Sequence, residues 1–351
     1  MKKKIGFIAV GQAGGNIGRL FEERGFSVLY LNTSREDLQT LKNVKHTYHI
    51  AGGDGCHKDR LTAKRLVAED FENISREIQE KLNVPILYVI FSSGGGTGSG
   101  CGPMLIDLLA EEMAERTSSG MVGAITVIPD EKESVKAQIN CYECFTELMA
   151  IDGIASTLAV DNAKGDKLSL NRQFVNSFMD FISIPDRCRD ERGNIDKAEI
   201  EEALRAKGML VITKVPVRDN ATAAVLGSFR ENIFAPIEPD RVIRYIALAA
   251  AGTVDIDAVY KEVGISVDVF QTYSDKTTVC CLSGLNYPKT RLETVYKKAV
   301  EHQELILKNM QATSAGRLKT DVNFLSVKAV EAAPPKPKSS RLELMRKYMG
   351  Q

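Results

Sequence analysis

The stretch Ser93-Gly94-Gly95-Gly96-Thr97-Gly98-Ser99-Gly100 holds five glycines in eight positions and follows the apolar run Ile86 to Phe91. An apolar, helix-forming segment follows, and we expect it to begin at Pro103, since proline is common in the first turn of a helix. Glycine has no Cβ atom to hold a ligand away from the backbone, and the first N–H groups of a helix have no intrahelical partner. A strand, a glycine loop and a helix in this order predict a cradle for phosphate, to which Thr97 and Ser99 add hydroxyls.

A second glycine-rich stretch follows the predicted first strand, Ile5 to Val10. It reads Gly11-Gln12-Ala13-Gly14-Gly15-Asn16-Ile17-Gly18. In an open parallel sheet, ligands bind beyond the carboxyl ends of the strands, where both stretches are expected to lie. The pair predicts a nucleotide whose phosphate tail is held from two sides by backbone amides, without a dedicated lysine.

Two common nucleotide-binding folds fit these stretches poorly. A dinucleotide fold needs G-x-G-x-x-G and an acid at the end of the second strand, but position 13 is Ala and the second strand ends in Asn32-Thr33. A P-loop NTPase needs a Lys-Ser/Thr pair, and neither stretch is followed by one. An NAD(P)-dependent oxidoreductase is therefore only a remote alternative.

Short apolar runs alternate with amphipathic segments through the first half of the chain. This alternation predicts an α/β fold with a doubly wound, mostly parallel sheet, covered by helices on both faces. Apolar residues at helical spacing from Leu170 to Ile182 predict a central connecting helix. The predicted strands of the sheet are 5–10, 27–31, 86–91, 122–128 and 157–160.

The second half of the chain predicts a separate α+β unit. A helix over 198–207, a strand over 209–217 and further helices precede two closely spaced apolar runs, 267–273 and 277–282. Because so few residues join them, we expect these two runs to be antiparallel neighbours. A long charged helix over 291–311 follows.

The composition excludes some classes of protein. Lys+Arg and Asp+Glu both number 46, so the total charge does not point to nucleic acid or an anionic membrane as the main partner. No apolar run approaches the ~18 residues that would span a bilayer. Seven scattered cysteines favour a reducing, cytoplasmic location. Cys141 and Cys144 form a C-x-x-C without a second ligand pair, so we expect helix packing rather than a zinc or redox site, and no protein metal site is predicted.

Together, the glycine stretches resemble those of the tubulin/FtsZ family of GTPases. Gly94 to Gly100 resembles the family's signature loop, and Gly11-Gln12-Ala13-Gly14 resembles the tubulin form of its first phosphate loop. Asn32-Thr33 and Gly52-Gly53-Asp54-Gly55 fall where the next two nucleotide loops belong. The resemblance implies binding of GTP or GDP, with Mg²⁺ neutralising the phosphates.

The resemblance also implies residues for the sugar and the base. Glu133, expected to open the helix after the fifth strand, resembles the acid that takes the ribose hydroxyls. Asn162 and Asn171 resemble the two asparagines that read guanine, whose edge an amide can both donate to and accept from. The full predicted nucleotide site comprises Gly11, Gln12, Ala13, Gly14, Gly15, Asn16, Asn32, Gly53, Asp54, Gly94, Gly95, Gly96, Thr97, Gly98, Ser99, Glu133, Asn162 and Asn171.

The predicted catalytic residues are Asn194, Asp196 and Glu199. In isolation the stretch Gly193 to Glu199 is typical of a turn followed by an acidic helix N-terminus. It also resembles the family's synergy loop, which in that family meets the nucleotide of the next subunit. The resemblance therefore implies a head-to-tail filament in which these residues orient the water that attacks the γ-phosphate of a neighbouring molecule. A monomer should then bind GTP and hydrolyse it poorly.

The resemblance covers about residues 1–310, with departures. Asn171 follows Asn162 by nine positions, where relatives place an extra helix, and Ala137 stands where division proteins often carry an arginine. The implied division is a GTP-binding domain over 1–168, a central helix and following loop over 169–193, an α+β activation domain over 194–312, and a C-terminal strand with a disordered basic tail over 313–351.

The tail favours one branch of the family. Residues 336–351 carry five basic side chains and one acidic side chain, a net charge of +4, unlike the acidic tubulin terminus or the apolar-acidic peptide of division proteins. We expect this basic tail to contact a DNA-bound adaptor, as in the plasmid- and phage-borne relatives that segregate DNA. Direct sequence-specific DNA binding and membrane binding are not expected. An FtsZ-like division GTPase is the alternative.

Overall fold

The computed structural model describes residues 1–117 and 119–314, with side chains up to residue 308. Most of the predicted C-terminal strand and the whole basic tail lie outside these residues. Ten strands form one sheet in the order β11-β10-β12-β9-β6-β5-β4-β1-β2-β3, and β7 and β8 form a separate hairpin. The strands are β1 (Ile5–Val10), β2 (Ser27–Asn32), β3 (His46–His49), β4 (Ile86–Ser92), β5 (Met121–Ile128), β6 (Ile154–Asp161), β7 (Arg189–Asp190), β8 (Gly193–Asn194), β9 (Gly208–Pro216), β10 (Val242–Ala250), β11 (Ile265–Tyr273) and β12 (Thr277–Leu285).

Helices connect most of the strands, apart from the short turns between β7 and β8 and between β11 and β12. Two short 3₁₀ turns, Lys2–Lys4 and Asn162–Lys164, precede β1 and follow β6. The α-helices are α1 (Gly11–Glu23), α2 (Arg35–Thr40), α3 (Arg60–Lys81), α4 (Thr97–Arg116), α5 (Val135–Ala150), α6 (Lys167–Ile182), α7 (Ile184–Arg187), α8 (Lys197–Arg205), α9 (Ala221–Arg230), α10 (Ile256–Val263) and α11 (Lys289–Ser314).

The first half of the sheet is parallel, as the alternation of strands and helices predicts. β1 pairs with β2 and β4, β4 with β5, and β5 with β6, all in parallel. Every residue of β1, β5 and β6 is buried, which is typical of parallel strands covered on both faces. These strands end together at one edge of the sheet, here called the carboxyl edge, and begin together at the opposite edge, the amino edge.

The predicted central helix is α6, and its apolar stripe packs as expected. Phe174 and Phe178 are fully buried and meet Phe21 of α1 with ring centroids 6.0 and 5.5 Å apart. Phe21 in turn stacks on Phe7 of β1 at 3.9 Å. Burying aromatic rings of this size stabilises a core by several kcal/mol, roughly 3–5 for each ring removed. Helices α1 and α6 are thus held together on one face of the parallel sheet.

The prediction that a helix begins at Pro103 is wrong, because α4 begins six residues earlier, at Thr97. The glycines of this stretch serve close packing in the first turns of the helix. A Cβ atom at Gly100 would lie 2.6 Å from the Arg60 carbonyl oxygen, and one at Gly102 would lie 2.7 Å from the Phe91 ring. The stretch is therefore a buried helix start that leaves only residues 93–96 as loop.

The prediction that residues 267–273 and 277–282 are antiparallel neighbours is also wrong. β10 lies between the two strands that contain them: it pairs in parallel with β11 and antiparallel with β12. The sequence interpretation places only helices between β9 and this pair, and so misses β10. The C-terminal half of β10, Ala247 to Ala250, is apolar and almost fully buried. β10 thus occupies an interior position in the sheet, and β11 is the edge strand.

Candidate functional site

The two glycine stretches lie side by side at the carboxyl edge of the sheet. Gly11 follows β1 with a φ of +70°, which glycine adopts readily, and a Cβ atom there would lie 3.5 Å from the Gly98 nitrogen. Helix α1 begins at Gly11 and α4 at Thr97, so the N-termini of two long helices meet at adjacent parallel strands. Two helix N-termini supply unpaired N–H groups and positive dipole ends, an arrangement suited to a polyanion.

The Asn32-Thr33 turn lies against the start of α4. The hydroxyl oxygens of Thr33 and Thr97 are 2.8 Å apart and share a hydrogen bond. The Gly55 N–H donates to the Thr33 carbonyl oxygen at 3.0 Å, and a Cβ atom at Gly53 would lie 2.6 Å from the same oxygen. Three of the predicted nucleotide loops are therefore in contact through the single residue Thr33.

A strained segment covers the glycine loop. His57 and Lys58 have φ angles of 44° and 61°, a left-handed conformation that costs non-glycine residues about 1–3 kcal/mol. A Cβ atom at Gly96 would lie 2.5 Å from the Lys58 Cα atom. The Asn140 side chain donates to the carbonyl oxygens of Gly95 at 2.9 Å and Lys58 at 3.1 Å. Asn140 and Lys58 are residues that the sequence interpretation missed.

Gly95 differs from the other glycines of the cradle. A Cβ atom placed on Gly14 would lie 2.3 Å from the Ile90 carbonyl oxygen, and one on Gly98 would lie 3.1 Å from the Ser92 backbone. A Cβ atom placed on Gly95 would lie 3.9 Å from its nearest neighbour, the Ser92 carbonyl oxygen. The space in front of Gly95 is therefore open to a ligand, whereas Gly14 and Gly98 are needed for backbone packing.

The two predicted hydroxyls point in different directions. The Ser99 side chain is fully buried and donates to the Gly95 carbonyl oxygen. Thr97 is half-buried and bonded to Thr33. The structure therefore places Thr97 at the mouth of the cradle and Ser99 beneath it.

The remaining predicted residues of the glycine stretches and neighbouring loops differ in exposure. Gln12, Asn16 and Asp54 are exposed, Ala13 is half-buried, and Gly15 packs against Leu41. The Asn32 side chain donates to the Asp37 carboxylate and accepts from the Ser34 N–H.

Proline and arginine together hold the start of α4. Pro103 has no N–H to donate to the Ser99 carbonyl oxygen, four residues earlier. The Nη2 atom of Arg60 donates to that oxygen at 3.1 Å instead. Arg60 also pairs with Glu143 at 2.8 Å and Glu147 at 2.7 Å, both on α5. Burial opposes its charge, but the carboxylates of Glu147 and Glu143 outweigh burial and raise the Arg60 pKa.

Glu133 and Asn162 follow the neighbouring strands β5 and β6, and their side chains meet at the carboxyl edge. The Glu133 Oε1 atom accepts from Asn162 at 3.4 Å and from the Lys167 Nζ atom at 2.8 Å. Glu133 precedes α5 by two residues, because Ser134 caps that helix, so the prediction that it opens the helix is wrong. Asn171 lies in the second turn of α6 and is 9% exposed.

The predicted catalytic residues begin helix α8. The Asp196 carboxylate accepts from the backbone N–H groups of Ala198 at 2.7 Å and Glu199 at 2.9 Å, and the Glu199 carboxylate accepts from the Asp196 N–H at 2.7 Å. This reciprocal capping box fixes both carboxylates at the surface. Asn194 is exposed in β8, and buried Ile195 anchors the turn between them.

Helix α8, which begins next to these residues, lies at the amino edge of the sheet, opposite the glycine cradle. Along α8, Glu201 pairs with Lys4, which precedes β1, and Arg205 donates to the carbonyl oxygens of Ser119 and Gly120, which precede β5. Strand β1 has six residues and so spans about 20 Å from one edge to the other. One chain therefore holds the cradle and the predicted catalytic residues at opposite ends.

The sequence predictions also concern the C-x-x-C cysteines, possible metal-binding clusters and possible membrane-spanning helices. Cys141 and Cys144 lie inside α5, and burial raises the pKa of Cys141 to about 12, so its thiol stays protonated. Within residues 1–117 and 119–314, no group of three or more His, Cys, Asp or Glu side chains could hold a metal ion. None of the helices in that part of the chain is long and apolar enough to cross a membrane.

Comparison with known proteins agrees with the resemblance. A model of the tubulin/FtsZ family GTPase domain matches residues 4–167. The chain is 30% identical over 300 residues to the tubulin-like protein TubZ of Clostridium botulinum C phage, covering 84% of this chain and 82% of that relative. The crystal structure of Clostridium botulinum phage c-st TubZ superposes with a TM-score of 0.77 at 27% identity, over 87% of this chain and 100% of that one.

A structure of a filament also matches the fold. The GTPγS-form protofilament of Bacillus thuringiensis serovar israelensis TubZ gives a TM-score of 0.74 at 16% identity, over 90% of this chain and 94% of that one. At this identity the likeness concerns the fold alone. The glycine cradle, the family match and the phage relative together assign the chain: it belongs to the tubulin/FtsZ family of filament-forming GTPases and carries the family's GTPase domain.

Proposed function

We propose that this protein binds GTP at the glycine cradle, assembles head to tail, and hydrolyses GTP only where two subunits meet. The observation that carries the proposal is that α8, which begins at the predicted catalytic residues, contacts the residues before β1 and β5, whereas the cradle follows the other end of β1, about 20 Å away along that strand. Carboxylates at the amino edge cannot reach a γ-phosphate at the carboxyl edge of the same molecule. They can reach it when the amino edge of one subunit sits on the carboxyl edge of the next.

In this proposal, the nucleotide lies along the carboxyl edge. The helix starts at Gly11 and Thr97, with Gly95 in front, take the phosphates; Glu133 takes the ribose, and Asn162 and Asn171 read the base. Mg²⁺ would supply charge neutralisation for the phosphates. Phosphate oxygens and water commonly supply most ligands of such an ion. Asp54, exposed between Gly53 and Gly55, which both contact Thr33, would be the side chain available to contribute.

The catalytic role proposed for the α8 residues is positional. Phosphoryl transfer requires an oriented water and stabilisation of charge, with little covalent chemistry for the protein. Asp196 and Glu199 are held by their own helix start before any partner arrives, so no ordering is needed at assembly. The proposed division of labour is a nucleotide domain over 1–168, a linking helix over 169–193 and an activating domain over 194–312.

Assembly provides the direct test of this function. With GTP and Mg²⁺, the purified protein should sediment as polymer above a threshold concentration, and GTP turnover per molecule should rise at that same threshold. With GDP it should stay in the supernatant. A protein that hydrolyses GTP at a constant rate per molecule across that concentration range contradicts a site shared between subunits.

We further propose that the filament segregates plasmid or phage DNA in the cytoplasm, through a DNA-bound adaptor that contacts residues 336–351. The net charge of +4 on that segment and the phage origin of a relative at 30% identity support this role over cell division. Deleting 336–351 should leave sedimentation unchanged and abolish co-sedimentation of the adaptor–DNA complex. Retained adaptor binding by the shortened chain would overturn the role of the tail.

A further inference from the structure

A buried arginine of α11 joins the two strand ends that lead to Glu133 and Asn162. Arg291 of α11 is 7% exposed, and its Nε and Nη2 atoms donate to the Asp161 carboxylate at 2.7 and 3.1 Å. The Nη2 atom also donates to the Pro129 carbonyl oxygen at 2.9 Å. Asp161 is 2% exposed, so the pair is withdrawn from water on both sides.

Each partner of Arg291 begins a turn of the proposed sugar and base site. Pro129 directly follows β5, and the next residue, Asp130, exchanges hydrogen bonds with Glu133: its N–H donates to the Glu133 carboxylate and its carbonyl accepts from the Glu133 N–H. Asp161 ends β6, and its carboxylate also accepts from the Ala163 N–H, on the far side of Asn162. The guanidinium therefore fixes both turns relative to each other.

The chemistry of the pair favours a positioning role over a purely stabilising one. A buried ion pair contributes little net stability relative to an apolar pair, because removing two charges from water is costly. What a planar guanidinium adds is geometry: fixed donors hold a carboxylate in one orientation, and here a backbone carbonyl as well. Lysine keeps the charge but cannot hold both partners in the same plane.

We infer that Arg291 is a specificity-determining positioning residue, which sets the discrimination for guanine and ribose by fixing the turns of Glu133 and Asn162. The inference rests on the proposed GTP site. It also links nucleotide binding to α11, which packs against α5 and leads towards the C-terminal tail. By reciprocity, a nucleotide that orders these turns should steady the start of α11.

The test compares three nucleotides that share the same triphosphate. Arg291→Lys is compared with the unmodified chain in competition against a fluorescent GDP analogue, using GTP, ITP (which lacks the 2-amino group) and 2′-deoxyGTP (which lacks one ribose hydroxyl). The preference for GTP over each analogue should fall about tenfold, the effect of losing one charge-assisted hydrogen bond. Arg205→Lys is the matched control, because Arg205 ties a helix to the other end of β5, and it should keep both preferences.

Two results would overturn the positioning role of Arg291. Equal weakening for all three nucleotides, or a lower unfolding midpoint with unchanged preferences, would make Arg291 merely structural and overturn the inference. A second variant, Asp161→Asn, should reproduce the loss of preference.

Hydrogen exchange tests the proposed link between nucleotide binding and α11. In the unmodified chain, GDP should slow exchange in the first two turns of α11 but not in α10, and unchanged exchange in α11 would contradict this link. If the unmodified chain itself does not prefer GTP to ITP, the proposed function fails instead.

Discussion

At the scale of single residues, the glycines of the cradle have two separate roles. Gly14 is required by packing, since its Cβ atom would lie 2.3 Å from a backbone oxygen, whereas the same atom at Gly95 would meet nothing closer than 3.9 Å. Gly95→Ala should therefore keep the unfolding midpoint of the parent and weaken GTP binding about tenfold or more, because the new methyl group enters the ligand's space. Calorimetric titration with GTP and a thermal melt measure the two effects.

The matched variant is Gly14→Ala. It should lower the free energy of unfolding by about 1–3 kcal/mol, the usual cost of overpacking, because the Ile90 backbone cannot move aside cheaply. If Gly95→Ala destabilised the protein as much as Gly14→Ala, or bound GTP as the parent does, the open space before Gly95 would have no bearing on ligand binding.

Glu199 combines a structural and a proposed catalytic role, and two substitutions separate them. Glu199→Gln keeps an amide oxygen for the Asp196 N–H, so the capping box survives, but removes the carboxylate charge. Glu199→Ala loses the cap as well, at about 0.3–1.5 kcal/mol. Both should bind GTP normally and hydrolyse it about a hundredfold more slowly under assembling conditions, whereas only the alanine variant should melt earlier. Normal turnover by Glu199→Gln would remove this carboxylate from the mechanism.

At the scale of elements, the start of α4 depends on a residue that is distant in sequence and lies on another helix. Pro103 leaves the Ser99 carbonyl oxygen without its helical donor, and Arg60 supplies the missing hydrogen bond. Arg60→Gln should destabilise the protein, and Pro103→Ala should then recover more stability in that variant than in the parent, by about 1 kcal/mol, since the alanine brings the backbone N–H back. A double-mutant cycle by urea unfolding measures this coupling. Effects that add within about 0.5 kcal/mol would contradict it.

The elements that sequence reasoning predicts well are those with a local signal. The all-apolar runs of β1, β4 and β5 and the helical stripe of α6 indicate their own structure, and the structure confirms them. The position of β10 depends on which strand lies beside it, and no local pattern carries that information. The predicted start of α4 is too late because proline is most common in the first turn of a helix. Inside α4, Pro103 is tolerated because Arg60, which is distant in sequence, donates to the Ser99 carbonyl oxygen in its place.

The same distinction applies to the candidate site. Glycine stretches and the acidic start of α8 are visible in sequence because their chemistry is local. Asn140, Lys58 and Arg291 act through partners 45 to 162 positions away, so their residue types alone give no signal. The inward direction of the Ser99 hydroxyl also follows from packing that only the folded chain defines.

At the scale of the whole molecule, the arrangement of α6 and α8 makes the chain directional. Helix α6 spans about 24 Å, from the turn that holds Asn171 towards the loop before α8, and Arg24, at the end of α1, bonds Asn176 along its length. One end of the molecule presents the glycine cradle, which we propose holds the triphosphate, and the other presents fixed carboxylates. A head-to-tail filament is the assembly that brings these unlike ends together.

The central claim is that each GTP is hydrolysed with residues from the neighbouring chain, and mixing two variants that are impaired in different ways tests it most directly. The Glu199→Gln chain keeps the cradle, and the Gly95→Ala chain keeps Glu199. Steady-state GTP turnover is measured for each variant alone and for an equimolar mixture at the same total protein concentration, with GTP at a level that fills the Glu199→Gln cradle but leaves most Gly95→Ala cradles empty. We predict a rate for the mixture severalfold above the mean of the separate rates, because Gly95→Ala subunits supply the carboxylate to GTP held by their neighbours. A rate equal to that mean would contradict the claim.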